Sequence, residues 1–177
     1  KDSLELALKR DDRLSEAAAL NNIGLFYADA GDLAYALRHF ERALALRGQT
    51  GDVAGAAATL RNLGLVYSAQ RDLVTALSFF ERALTLSQSA GDVLVEATTL
   101  NHLGWIDFTL GKHAKALGYF ERALLLSQKI EDVSSAANVL NNIGLVYKSL
   151  KEKNKALSYH QRALILIQQV GELRMEG

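Results

Sequence analysis

The chain has 177 residues, 49% hydrophobic and 23% charged, a composition that folds around a substantial core and is not that of a disordered chain. Lys and Arg number 20, as do Asp and Glu, and no basic stripe emerges; nucleic acid is therefore not an expected partner, because phosphate binding needs clustered cations. The absence of cysteine removes disulfides, thiol nucleophiles and thiolate metal sites and fits a reducing, cytoplasmic setting, while no apolar run is long enough for a bilayer and no leader pattern stands at the start.

With no proline, the punctuation must come from Gly and Asp. Residues 1–10 carry the apolar pattern of 41–50, with Leu4 and Leu6 under Leu44 and Leu46, so the chain is expected to begin inside the second helix of a hairpin. Asp12 is expected to open the next helix, and its slot recurs at Asp52, Asp92, Asp132 and Glu172. A carboxylate there accepts from a free amide of the first turn and faces the positive helix end. Gly51, Gly91 and Gly171 precede it, where the helix before must end in a left-handed residue.

Inside these boundaries one word repeats. Leu20–Tyr27 reads Leu-Asn-Asn-Ile-Gly-Leu-Phe-Tyr, and Leu140–Tyr147 differs from it at one letter. Leu60–Tyr67 and Leu100–Asp107 paraphrase it, so the starts fall at 20, 60, 100 and 140. Phe40-Glu-Arg-Ala-Leu44, its copies at 80–84 and 120–124, and His160-Gln-Arg-Ala-Leu164 keep the same period of 40. Such a period marks a stacked repeat array. The expected repeats are 12–51, 52–91, 92–131 and 132–171, with 1–11 the end of a truncated repeat, 172–177 the start of another, and 1–177 a single array.

Each repeat splits into two helices, as in Val53–Ala69 and Leu73–Gln88, joined by a short turn such as Gly31-Asp32 or Arg71-Asp72. Leu60, Leu63, Gly64 and Tyr67 form one helical face, as do Ala76, Phe80, Ala83 and Leu84. Turns this short make the helices antiparallel neighbours. Mid-helix glycine costs about 1 kcal/mol against alanine. Its recurrence at 24, 64, 104 and 144 is expected to admit a second helix at Ala36, Ala76, Ala116 and Ala156.

Leu20, Ile23-Gly24, Tyr27, Ala36, Phe40 and Ala43, repeated in phase, resemble the tetratricopeptide repeat. The resemblance implies an all-α solenoid of antiparallel helix pairs stacked in a right-handed superhelix. The usual repeat has 34 residues and closes with a proline; here that slot holds Gly48, Gln88, Gln128 and Gln168, so the second helix can run on. This longer, Asn-rich variety is similar to repeats of kinesin light chain, of spindle-orientation scaffolds and of bacterial signalling proteins. Repeat three departs most, with Asp107 in the tyrosine slot and His113 in place of the usual aromatic.

At about 100° per residue, Asn21, Leu25 and Asn22 turn away from the partner helix, and in the family that face lines a concave groove. Its columns are Asn21, Arg61, Asn101, Asn141; Leu25, Leu65, Trp105, Leu145; and Asn22, Asn62, His102, Asn142. Asparagine is a mediocre helix former, so propensity did not select it. Its amide can pair with both a backbone amide and a backbone carbonyl of an extended peptide, with Leu and Trp receiving apolar side chains. The Asn22 column has a second reading, in which one Asn of each pair bonds the neighbouring repeat and stiffens the stack. Trp105, the lone tryptophan, reads as a contact anchor, or else leans with Phe108 into the space left by Asp107.

The clamp by which chaperone-binding members hold a C-terminal carboxylate is not matched, since its slots here are Asn21, Leu25, Asn62, Thr98 and His102, and only Asn62 fits. The Glu41-Arg42, Glu81-Arg82 and Glu121-Arg122 pairs read as a solvated outer face with pairing between repeats. His39, His102, His113 and His160 have no metal-ligand spacing, and no phosphate loop or nucleophile elbow occurs. No catalytic residue, metal or cofactor is expected. The leading expectation is a non-enzymatic module that binds a peptide segment of a partner protein. The alternatives are a sensory segment of a larger signalling protein, or a scaffold forming homo-oligomers through uncapped ends near Leu4, Leu164 and Leu166.

Overall fold

A computed structural model describes the backbone of residues 2–175 and the side chains of residues 9–168. The described residues form eight α-helices and no strand: α1 (Asp2–Asp29), α2 (Leu33–Thr50), α3 (Val53–Ala69), α4 (Leu73–Ala90), α5 (Val93–Thr109), α6 (His113–Lys129), α7 (Val133–Ser149) and α8 (Lys153–Met175). They gather into two compact units, residues 1–95 and 96–177. In the first, α1 pairs with α2 and α3 with α4, and α2 also packs on α3; in the second, α7 packs on both α6 and α8.

The helix starts follow the aspartates. Asp52, Asp92 and Asp132 accept from the amides of Gly55, Val95 and Ser135 at 2.9, 3.0 and 3.0 Å, and Asp32 and Asp72 do the same for Tyr35 and Thr75 at the starts of α2 and α4. Hydrogen bonds from the Thr75 and Ser135 hydroxyls, and then from their amides, hold the Asp72 and Asp132 carboxyls below the usual range. Gly51 and Gly91 end α2 and α4 in the left-handed region at φ 70° and 69°, and Glu131 takes that conformation at φ 56° without glycine.

Two expected boundaries are absent. Helix α1 runs through Asp12 and α8 through Gly171 and Glu172. Asp11 stands before Asp12 where Gly51 stands before Asp52, so nothing releases the chain from the helix there. Gly171 is a tolerated glycine in the interior of α8.

The glycine of each first helix also has a different partner from the one expected. A Cβ on Gly24, Gly64 or Gly104 would lie 2.6, 2.7 or 2.7 Å from Cε1 of Phe40, Phe80 or Phe120, and on Gly144 it would lie 2.7 Å from Cε1 of His160. The nearest neighbour is thus the ring one turn beyond Ala36, Ala76, Ala116 and Ala156, and not those alanines, which are themselves buried. Phe40, Phe80 and Phe120 are at most 1% exposed. In the first unit Phe40 joins Ala36, Leu60, Leu63, Val66 and Ala83 in one core cluster.

The repeat tyrosine packs the turn end of the hairpin. Tyr27 stacks on His39, Tyr67 on Phe79 and Tyr147 on Tyr159, with centroids 5.3–5.5 Å apart. Of the residues named above for end contacts, Leu164 is exposed, Leu166 is half-buried, and the Leu4 side chain lies outside the described residues. Two of the arginines of the Glu-Arg pairs reach across their own hairpin: Arg42 binds Glu16, and Arg122 lies 3.7 Å from Glu96.

Gly104→Ala should lose about 1–2 kcal/mol in a melting experiment, because the clash with Phe120 outweighs the helix-propensity gain. Gly118, also helical, has no atom within 4 Å of an added Cβ, so Gly118→Ala should instead gain a few tenths to about 1 kcal/mol. Equal shifts in the two variants would refute the ring-on-glycine account.

Candidate functional site

The first-helix faces carry the expected columns, and the asparagines on them are tied to one another. In the first unit Asn62, only 2% exposed, donates through Nδ2 to Oδ1 of Asn21 at 3.0 Å. The buried Thr59 hydroxyl donates to the same oxygen at 3.3 Å, and Arg61 donates to Oδ1 of Asn62 at 3.3 Å. A guanidinium only donates, so Arg61 dictates which end of the Asn62 amide faces it, and Asn62 in turn dictates the orientation of Asn21. Burial lowers the Arg61 pKa, partly offset by Asp92. In the second unit Asn142 donates to Oδ1 of Asn101 at 2.9 Å.

Asn141 serves a different neighbour. Its Oδ1 lies 3.0 Å from Nδ1 of His160, the ring that stands where the other repeats have phenylalanine. Asn22 is exposed, whereas Asn21, Arg61, Asn101, His102, Asn141 and Asn142 are half-buried. For Asn21, Asn101 and Asn141, every hydrogen bond among the described residues engages Oδ1, which leaves Nδ2 with two donors for another partner.

Beside these amides the apolar column is accessible. Leu25 is 37% exposed, Leu65 36% and Trp105 43%, and Leu145 is half-buried. Leu25, Leu65, Asn62, Leu33 and Val66 line a recess of about 200 Å³ over Phe40, with Asp29 at its edge. The Trp105 indole lies 5.6 Å from the Phe108 ring at 50°, alongside it and open to solvent.

Asp107 is fully buried in place of the repeat tyrosine, and the cations that answer it come from the turn before α6 and from α6 itself. Lys112 Nζ is 3.5 Å from Oδ1 and Lys115 Nζ is 3.2 Å from Oδ2. Contact with Asp107 raises the Lys115 pKa, so this contribution to stability is complete below the ordinary lysine value and is lost only as pH climbs through the raised one. His113 turns to Phe108 and to the Ser149 hydroxyl, at 3.0 Å. Among the described residues no group of three or more His, Cys, Asp and Glu is placed to hold a metal.

Arg47 is a residue that periodicity did not single out. It is 8% exposed, 3.7 Å from Asp52, and together with the Asp52 carboxylate it fills the space that a Cβ on Gly55 would occupy. Burial lowers its pKa, with Asp52 opposing. The signal was compositional: Arg47 faces Gly55, while the same slots hold Ser87 with Val95 and Ser127 with Ser135.

A family model described as tetratricopeptide repeat matches residues 15–89, 55–129 and 95–169. The chain belongs to the tetratricopeptide repeat family. Its fold is all-α and of that type, and members of the family are typically protein–protein interaction modules. Similar solved structures include aspartyl phosphate phosphatase F from Bacillus subtilis (TM-score 0.84, 16% identity, 90% of this chain and 42% of that one). The apo form of RapI gives 0.80 at 16% identity, covering 89% of this chain and 44% of that one, and MamA gives 0.67 at 21%, covering 95% and 86%. The chain thus spans less than half the length of the phosphatase and of RapI. At these identities the likeness establishes fold alone. A comparison with curated protein sequences gave no match. No helix among the described residues is long and apolar enough to cross a membrane.

Asn62→Ala strips Asn21 of a buried donor and Arg61 of its acceptor, and should cost about 1–3 kcal/mol. A double-mutant cycle with Asn21→Ala should show the two losses to be coupled; additive losses would mean the bond contributes nothing. Replacing both Lys112 and Lys115 by Met leaves the Asp107 charge buried without a cation and should cost about 3 kcal/mol, recovered when Asp107→Tyr is added.

Proposed function

We propose that the chain is a non-catalytic interaction module whose first-helix faces hold an extended peptide segment of a partner protein. The observation that carries this reading is the pairing of half-satisfied amides with accessible apolar side chains on the same helix face. Asn21, Asn101 and Asn141 keep two Nδ2 donors each, suited to the carbonyls of a peptide backbone. Leu25 and Leu65 offer a recess about the size of one large apolar side chain, and Trp105 an open indole. Membership in a family of interaction modules supports the same reading.

Asn62 is assigned a supporting part, since it is buried and holds Asn21 in place. Asn22 and Arg61 in the first unit, and His102, Asn142 and Leu145 in the second, belong to the same first-helix faces. Aromatic anchors concentrate binding energy because they bury much area at little entropic cost. Few charges stand on these columns, so affinity should come from hydrogen bonds and apolar contact.

A peptide selected from a random library against the whole chain should bind with an affinity that Trp105→Ala or Asn101→Ala lowers about tenfold or more in isothermal titration. Raising salt from 0.1 to 1 M should change it by less than about threefold. Failure to select any peptide, or abolition of binding by salt, would overturn the reading.

A further inference from the structure

Between the N-terminal halves of α5 and α7 in the second unit lies a recess of about 180 Å³ unlike the one at Leu25 and Leu65. Its polar lining is Thr98, Asn101, His102, Ser127, Ser135 and Asn138, and its apolar walls are Ala97 and Val139. No carboxylate, ammonium or guanidinium belongs to it. Ser127, on α6, is 1% exposed, and its hydroxyl has no hydrogen-bond partner. The contrast with the repeat-equivalent Ser87 is direct, because that hydroxyl donates to the Leu84 carbonyl at 3.0 Å. Asn101 reserves Nδ2 at the same recess, its Oδ1 being taken by Asn142.

A buried hydroxyl without a partner costs about 1–3 kcal/mol, and a ligand group that satisfies it recovers that cost. A charged group entering this recess would lose its hydration and meet only hydroxyls, amides and the His102 imidazole, with no carboxylate, ammonium or guanidinium to pair it, which is far more expensive. We infer that the recess takes a neutral amide side chain, asparagine or glutamine, of the captured peptide and rejects carboxylate and ammonium side chains. The inference rests on the peptide-capture reading above and assigns one specificity within it. An amide fits because it both donates and accepts: Ser127 and Ser135 can do either, Asn101 supplies donors, and Asn138, exposed at the rim, can turn to match. The space equals about six waters, enough for an amide side chain to displace solvent without strain.

The test is a random peptide library displayed on phage and selected in parallel against the wild-type chain, Ser127→Ala and Asn138→Leu. Ser127 also borders an apolar recess with Val133 and Leu166, whereas Asn138 borders only the polar one, which is why the variants are paired. The wild type should enrich Asn or Gln at one position of the selected motif. Both variants should lose that preference while keeping the apolar positions and the thermal midpoint, and Ser127→Ala removes an unsatisfied hydroxyl and so should not destabilise. In the best peptide, Gln→Glu should weaken wild-type binding about tenfold. Enrichment of acidic or basic residues at that position, or an amide preference retained in both variants, would overturn the inference and leave peptide capture standing. Absence of any enriched motif would overturn both.

Discussion

A ring seated on a glycine sets the distance between the two helices of each hairpin. With Cβ removed at Gly24, Gly64 and Gly104, the edges of Phe40, Phe80 and Phe120 reach the first helix, and the rings become almost wholly buried. That contact satisfies two demands at once. It brings the helices close enough for Ala36, Ala76 and Ala116 to be buried in their shared core, and it turns the flanking residues of the first helix outward. The face that carries Asn21, Leu25 and Asn22 is therefore a consequence of where the ring goes. In the last repeat the ring is His160, which needs a polar partner that phenylalanine does not, and Asn141 supplies it from the otherwise outward-facing column.

The helices and the contents of the core were legible in the sequence because both rest on periodicity. The Val53–Ala69 helix was placed to the residue, and Leu60, Leu63, Ala76, Phe80 and Ala83 are buried as their spacing implied. What periodicity could not separate was Ala36 from Phe40 as the neighbour of Gly24, since both recur with the same period and lie one turn apart on one face. Only coordinates distinguish them. The unbroken helix at Asp12 and Gly171 has a related cause: an aspartate or a glycine in the right slot does not by itself end a helix, whereas at Gly51-Asp52 a left-handed residue and a cap act together.

The candidate site was legible in its columns and not in its bonds. Sequence marked Asn21 and Asn62 as neighbours of interest but could not say that Asn62 would be buried and donate to Asn21, because that depends on how α1 and α3 are spaced. Asp107 is the converse case. Its slot foretold a loss of aromatic packing, and the compensation by Lys112 and Lys115 lies in residues whose charges look like ordinary surface until the hairpin closes.

The two readings of the asparagine ladder are not rivals. Arg61 orients Asn62, Asn62 orients Asn21, and the oxygen of Asn21 is then fully used by Asn62 and Thr59. An amide whose oxygen accepts hydrogen bonds is polarised, which strengthens its N–H groups as donors. The bond that stiffens neighbouring repeats therefore also fixes the direction of the next donor, which under the proposed reading would await a peptide carbonyl. Such preorganisation lowers the entropic cost of binding. Arg61 stands in the same column as Asn21, where burial works against its charge and Asp92 partly offsets that cost. Under the proposed peptide-capture reading, selectivity on such a face would come from mismatched hydrogen bonds more than from repulsion: a ligand atom unable to accept from Asn21 Nδ2 would leave a donor stranded, and that loss would be felt whatever the salt concentration.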